Sequence, residues 1–185
     1  MNSHFEVGLG VKKIIEDFKP KVVLELGAAG GVNTRKLLSM DSFDLISISD
    51  SDLDMYHPRL TFIRGVSYIE IPKLLETIDI AIIDTDHNYW NTMKELDVLL
   101  PKMADKCIIM AHDTVAFGIK DGKAPIGTKL YSDNKTPYPM EEIVACGQSN
   151  QGVWNAMTNF AKDKGFTVIG EVKILCGAMA IGRGL

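Results

Sequence analysis

The sequence predicts an α/β protein: a mostly parallel sheet of seven strands, helices on both faces, and an antiparallel last strand. Three observations predict it. Short apolar runs alternate with amphipathic stretches along the chain, which is the pattern of a parallel sheet covered by helices. A glycine cluster, Gly27, Gly30 and Gly31, joins the first apolar run to the next helical stretch. The last two apolar runs lie too close together for a helical crossover, so they pair antiparallel at or near an edge.

Each element has its own signal. Residues 8–18, "GLGVKKIIEDF", align Val11, Ile14, Ile15 and Phe18 on one helical face, and Pro20 stops the pattern. "KVVLELG" (21–27) is the first strand. "VNTRKLLSM" (32–40) resumes helical spacing, with Asn33 or Thr34 as N-cap. "DLISIS" (44–49) and "LTFIRG" (60–65) are the second and third strands, and "SYIEIPKLLE" is a short stretch interrupted by Pro72. "DIAIID" (79–84) is the fourth strand. The helix "NYWNTMKELDVLL" follows, with Met93, Leu96 and Leu100 on one face. "KCIIMAHD" (106–113) is the fifth strand. "NQGVWNAMTNFAKDKGF" (150–166) is a helix, and "TVIGEV" (167–172) and "CGAMAIG" (176–182) close the chain. Residues 115–148 carry glycines, prolines and lysines without periodicity and read as a lid or insertion in a single domain spanning 1–185.

At 185 residues the chain is long enough to bury a core. A formal net charge of −4 argues against a nucleic-acid partner. No apolar run approaches the roughly 20 residues of a membrane span, and the N-terminus lacks a signal-peptide layout. Cys107, Cys146 and Cys176 are an odd, widely spaced set without CxxC. They read as reduced, packed thiols, so the expected compartment is cytoplasmic.

The chemistry concentrates at strand ends. In "VVLELGAAGGVNT" the glycines allow a tight turn and close approach of a ligand to the backbone. Ala29 breaks the dinucleotide pattern, and Glu25 sits two residues before Gly27, which suits a cationic or hydrogen-bond-donating ligand. Asp50 stands about 20 residues past the turn, where a carboxylate grips ribose hydroxyls, with Asp52 and Asp54 competing for that slot. "IIDTDHNYW" ends a buried strand in Asp84, Asp86 and His87. A carboxylate directly after "IAII" costs free energy unless it is paired or solvated.

In this order, "VVLELGAAGG", an acidic residue after strand two, "IIDTDHNYW" and "IIMAHDT" resemble class I S-adenosylmethionine-dependent methyltransferases. The nearest likeness is to the metal-dependent O-methyltransferases of the cephalosporin-hydroxylase-like and macrocin-type groups, with catechol methyltransferases more distant. The resemblance covers about 21–183 and implies a Rossmann-like sheet. It implies that Glu25, Gly27, Ala28, Gly30, Gly31, Asp50, Ser67 and Asp84 bind the cofactor, and that Asp84, His112 and Asp113 hold Mg²⁺ or another divalent cation. Two departures stand out: His112–Asp113 replaces the usual acidic pair, and the helical extension before strand one is short. Val66 stands where the pattern often has Asp, leaving Ser67 as the adenine contact.

Methyl transfer from a sulfonium is an in-line displacement, so the acceptor oxygen must be aligned and must shed its proton. A divalent cation bound by hard oxygen ligands at the strand tips assists both. Asp86 or His87 is then the general base, with Asp86 also a candidate helix N-cap. His112 is either a third ligand or a histidine that orients its loop. The expected function is an O-methyltransferase acting on a small-molecule hydroxyl of a sugar or natural-product scaffold. A neighbouring copy in a homo-oligomer would help cover the site. Two rivals remain: a glycosyltransferase using Asp84-Thr85-Asp86 as a DxD metal site, and a non-catalytic S-adenosylmethionine-binding protein.

Overall fold

The structure, a computed structural model, describes residues 10–40, 42–87, 89–114, 152–172 and 177–185. The expected lid at 115–148, with Cys146, lies outside them, as does Cys176. Seven strands form one sheet: β1 (Val22–Leu26), β2 (Asp44–Ser49), β3 (Leu60–Arg64), β4 (Ile78–Ile83), β5 (Met103–His112), β6 (Thr167–Val172) and β7 (Ala178–Arg183). Their order is β3-β2-β1-β4-β5-β7-β6. β1 to β5 are parallel, and β7 runs antiparallel to both of its neighbours, β5 and β6. The predicted sheet and its antiparallel close are thus found.

The helices are α1 (Val11–Phe18), α2 (Val32–Leu38), α3 (Ser67–Glu70), α4 (Tyr89–Leu99) and α5 (Gly152–Lys164). Alternation along the strands sends Leu24, Leu26, Ala81, Ile83 and Ile109 to one face, where they meet Leu96 and Leu99 of α4 and Met157 and Phe160 of α5. Val23, Ile80, Ile82 and Ile108 point to the other face, against Val11 and Ile15 of α1 and Leu37 and Leu38 of α2. Burial on both faces explains why the central strands read as continuous apolar runs. Each fully buried Leu or Ile contributes about 1.5–3 kcal/mol.

Polar side chains fix the edges. At the amino edge of the sheet, Asp79 accepts hydrogen bonds from the backbone N–H of Lys21 at 2.7 Å and of Val22 at 3.0 Å, pinning the start of β4 to β1. Arg59 donates to the carbonyls of Leu38, Met40 and Phe43, taking up acceptors left free where α2 ends.

Three expectations need correction. The N-cap of α2 is Gly31, in the left-handed region at φ 78°, with no side-chain cap. Asn33 and Thr34 lie inside the helix, and their side chains serve partners on other strands. The buried residues of α4 are Asn91, Thr92, Glu95, Leu96 and Leu99, so Met93 and Leu100 flank the buried stripe. β5 begins at Met103, three residues before the expected Lys106, and ends at His112, one residue before Asp113. Among the described residues no helix is long and apolar enough to cross a membrane.

Candidate active site

The chain leaves β1 toward β2 on one side, while β4 lies on the other. At that switch point the carboxyl ends of the strands part, the standard position for a ligand cleft in an open α/β sheet. A cleft of about 270 Å³ occupies it. Gly27 and Ala29 line it from the glycine turn, Asp50 and Ser51 from the end of β2, and Gly65 to Tyr68 from the end of β3. Asp84 to His87 line it from the end of β4, and Asn91 and Glu95 from α4.

The turn is tight because two strands converge on it. Gly27 has φ 91°, and a Cβ there would collide with the carbonyl oxygen of Asp84. Gly30, at φ 81°, faces open space. Of the residues expected to hold the cofactor, Gly27, Asp50, Ser67 and Asp84 line the cleft. Ala28 is buried behind it, and Gly30 and Gly31 shape the turn and the entry to α2. Glu25 lies beneath the turn. It is 1% exposed, and the hydroxyls of Thr34 and Ser47 each donate to its Oε2 at 2.7 Å. Burial pushes its pKa up, the two hydroxyl bonds oppose that, and the charge of Asp84 adds to it.

Beside the cleft, the ends of β4 and β5 bring four predicted residues together. His87 Nε2 lies 3.1 Å from Asp84 Oδ1 and 2.9 Å from Asp113 Oδ2. His112 Nδ1 lies 3.3 Å from the same two oxygens. Asn33 Nδ2 donates to the other oxygen of Asp84 at 3.2 Å, which is where its side chain is spent. His87 and Asp113 hold φ of 50° and 55°, a left-handed backbone that costs non-glycine residues about 1–3 kcal/mol and clusters at functional sites.

Burial opposes charge on the rings, but bonds to the two carboxylates outweigh it and hold both His87 and His112 up at about 9. Burial likewise opposes charge on Asp113 and Asp84, and the imidazoles outweigh it and bring both below the usual carboxylate range. Ligand atoms of Asp84, His87 and Asp113 lie within 4.8 Å of one another. Asp113 Oδ1 and Thr114 Oγ1 are buried with no hydrogen-bond partner among the described residues. Two carboxylates, imidazole nitrogen and an unsatisfied buried oxygen fit a divalent cation with mixed oxygen and nitrogen ligands.

Asp86 Oδ2 accepts a hydrogen bond from Asn91 Nδ2 at 2.5 Å. The two carboxylates of the DxD string therefore serve different partners, Asp84 the imidazoles and Asp86 the helix. Sequence reading passed over Glu95, which lies on α4 at 1% exposure and lines the cleft. Ser67 and Thr85 both donate to it, yet burial outweighs these bonds and raises its pKa to about 7. The available signal was spacing: Asn91 and Glu95 stand eight and four residues before Leu99, on the same buried stripe as Leu96 and Leu99.

Residues 24–114, about half of the chain, match the model of a methyltransferase domain. A Staphylococcus aureus protein assigned as a caffeoyl-CoA O-methyltransferase shares the fold at TM-score 0.65 and 16% identity, over 94% of this chain and 81% of that one. The S-adenosylhomocysteine-bound methyltransferase PaMTH1 of Podospora anserina aligns at TM-score 0.60 and 16% identity, over 92% and 74%. MycE of the mycinamycin pathway, bound to Mg, S-adenosylhomocysteine and mycinamycin VI, aligns at TM-score 0.61 and 13% identity. That match covers 94% of this chain but 48% of MycE. No protein of curated function matches the sequence. A chain whose glycine turn, fourth strand and fifth strand all fall within a methyltransferase-domain match, on a sheet of this order, is a class I S-adenosylmethionine-dependent methyltransferase.

Proposed function

We propose that this methyltransferase is metal-assisted and transfers its methyl group to a hydroxyl of a small molecule. The observation that carries the reading is the convergence of Asp84, His87, His112 and Asp113 beside the cleft. Asp84 and Asp113, with His112, would hold the divalent cation. Bound there, the cation would lower the pKa of an acceptor hydroxyl and fix its position. The glycine turn and Asp50 hold the cofactor, Asp50 by accepting from ribose hydroxyls.

His87 is the proton acceptor in this reading, with Asp86 the second candidate. His87 reaches the same point as the ligand carboxylates, so a hydroxyl presented there lies near its ring. While it is paired with both carboxylates its pKa stands at about 9, so it is protonated at neutral pH. Released from that pairing, it returns toward an ordinary 6.5 and takes a proton at neutral pH.

Calorimetry with S-adenosylhomocysteine, with and without Mn²⁺, tests the binding half. Binding of both is expected, and no heat from S-adenosylhomocysteine on folded protein sinks the cofactor placement. Turnover on a panel of hydroxyl acceptors tests the rest. Full activity after EDTA treatment would refute the metal role. Cofactor binding with no turnover on any acceptor favours a binding protein.

A further inference from the structure

Glu95 is a buried carboxyl group that the proposed chemistry does not use. One of its oxygens accepts a hydrogen bond from Ser67, and the other accepts from Thr85 at 2.9 Å. Ser67 begins α3 just beyond β3, and Thr85 follows the end of β4. In the sheet, β2 and β1 stand between β3 and β4. No backbone ladder therefore joins these two strand ends directly.

Ser67, Thr85 and Glu95 all line the cleft, so the distance between these ends is the width of the cleft there. The reactive sulfonium must lie near the Asp84–Asp113 cluster if the methyl group is to reach an acceptor there. The nucleoside base then lies at the far end, beside Val66, Ser67 and Tyr68. A second link between the same elements places Lys94 Nζ of α4 5.0 Å from the centroid of the Tyr68 ring.

We propose that Glu95 is a positioning residue that ties Ser67 to Thr85 and so fixes the width of the purine end of the cofactor cleft. The inference rests on the proposed placement of the cofactor in this cleft. Both the length and the two oxygens of the side chain matter. Glutamine keeps the length, and its amide accepts from one hydroxyl and donates to the other, because a hydroxyl can take either role. Aspartate is one methylene shorter and cannot bridge the same two hydroxyls without movement. Alanine leaves Ser67 and Thr85 without their shared partner.

The test compares wild type with Glu95→Gln, Glu95→Asp and Glu95→Ala by calorimetry, using three probes: S-adenosylhomocysteine, adenosine and Mn²⁺ alone. Glu95→Ala is expected to weaken S-adenosylhomocysteine and adenosine alike, by about tenfold. Glu95→Gln is expected to restore both to within about threefold of wild type, and Mn²⁺ affinity to stay level across the series. If Glu95→Ala fails to fold, the same comparison is read on Glu95→Asp. Unchanged adenosine affinity in the shortened variants overturns the proposal, and so does parallel loss of nucleoside and Mn²⁺ binding. Wild type that binds no S-adenosylhomocysteine brings down the cofactor placement itself. Wild type that binds it, with shortened variants that bind as well, brings down the role of Glu95 alone.

Discussion

Two pairs of acids stand around one cleft, Asp84 half-buried and the other three buried. Asp84 and Asp113 lie at the ends of β4 and β5, and both are bonded by imidazoles. Glu25 and Glu95 lie under the turn and along α4, and both are bonded by hydroxyls. Burial pushes all four toward the neutral form, and the partner decides the outcome. The imidazoles reverse the push and leave the aspartates charged, whereas the hydroxyls do not and the glutamates rise. The imidazole-bonded pair thus holds its charge where a cation and a proton would be exchanged. The hydroxyl-bonded pair is pushed toward the neutral form, and its bonds hold shape.

The sharpest way to break this contrast is Asp113→Asn. It removes a cluster charge while the cofactor turn stays intact. Turnover is expected to fall about a thousandfold or more, with S-adenosylhomocysteine affinity changed only a few-fold. Comparable losses in both would show that the two sides are not separate.

Metal binding should carry a proton signature next in size. His87 and His112 are held near 9, so at neutral pH a cation must displace protons from the cluster. Mn²⁺ affinity is expected to rise about tenfold per pH unit per displaced proton between about 7 and 9. Calorimetry in two buffers of different ionisation enthalpy reads the released protons directly. An affinity flat across that range would place the cation elsewhere.

Glu95 supplies the opposite sign. Its folded pKa is raised from 4.5 to about 7, so the stability it contributes is fully present below about 4.5 and is lost as pH rises through 7. Glu95→Gln does not titrate. Relative to wild type, its stability in denaturant unfolding should gain at pH 8 over pH 4.5, by an amount on the order of 1 kcal/mol. The smallest effect is expected from Asn33→Ala, which removes the amide from Asp84 but leaves both imidazoles. Mn²⁺ affinity should fall by about threefold, in keeping with one modest hydrogen bond.

Much of the fold was legible because burial on both faces writes itself as apolar runs. "VVLEL", "IAII" and "CIIMA" announce central strands without help from the rest of the chain. The antiparallel close was legible from loop length alone. The roles of Asn33 and Thr34 were not. Local pattern offers such residues to the nearest helix end, whereas the folded chain gives Thr34 to Glu25 and Asn33 to Asp84, 51 positions away. Glu95 escaped for a related reason, since a glutamate in a helix reads as a solvated face until its hydroxyl partners arrive from the start of α3 and from beyond the end of β4. At the site, position at the strand tips singled out Asp84, His87 and Asp113, and the family resemblance added His112. It did not supply the left-handed backbone at His87 and Asp113, which only the assembled sheet reveals.

Gly27 has a bearing on how such chains are recognised. Its missing side chain is demanded by the backbone of Asp84 on the adjacent strand, whatever lies in the cleft. A descendant that lost its cofactor would still be held to glycine there, because any replacement would pry two neighbouring strands apart. That position therefore records ancestry of fold. Evidence of living chemistry has to come from positions the architecture leaves free to drift, and Asp50, exposed at the end of β2, is one of them.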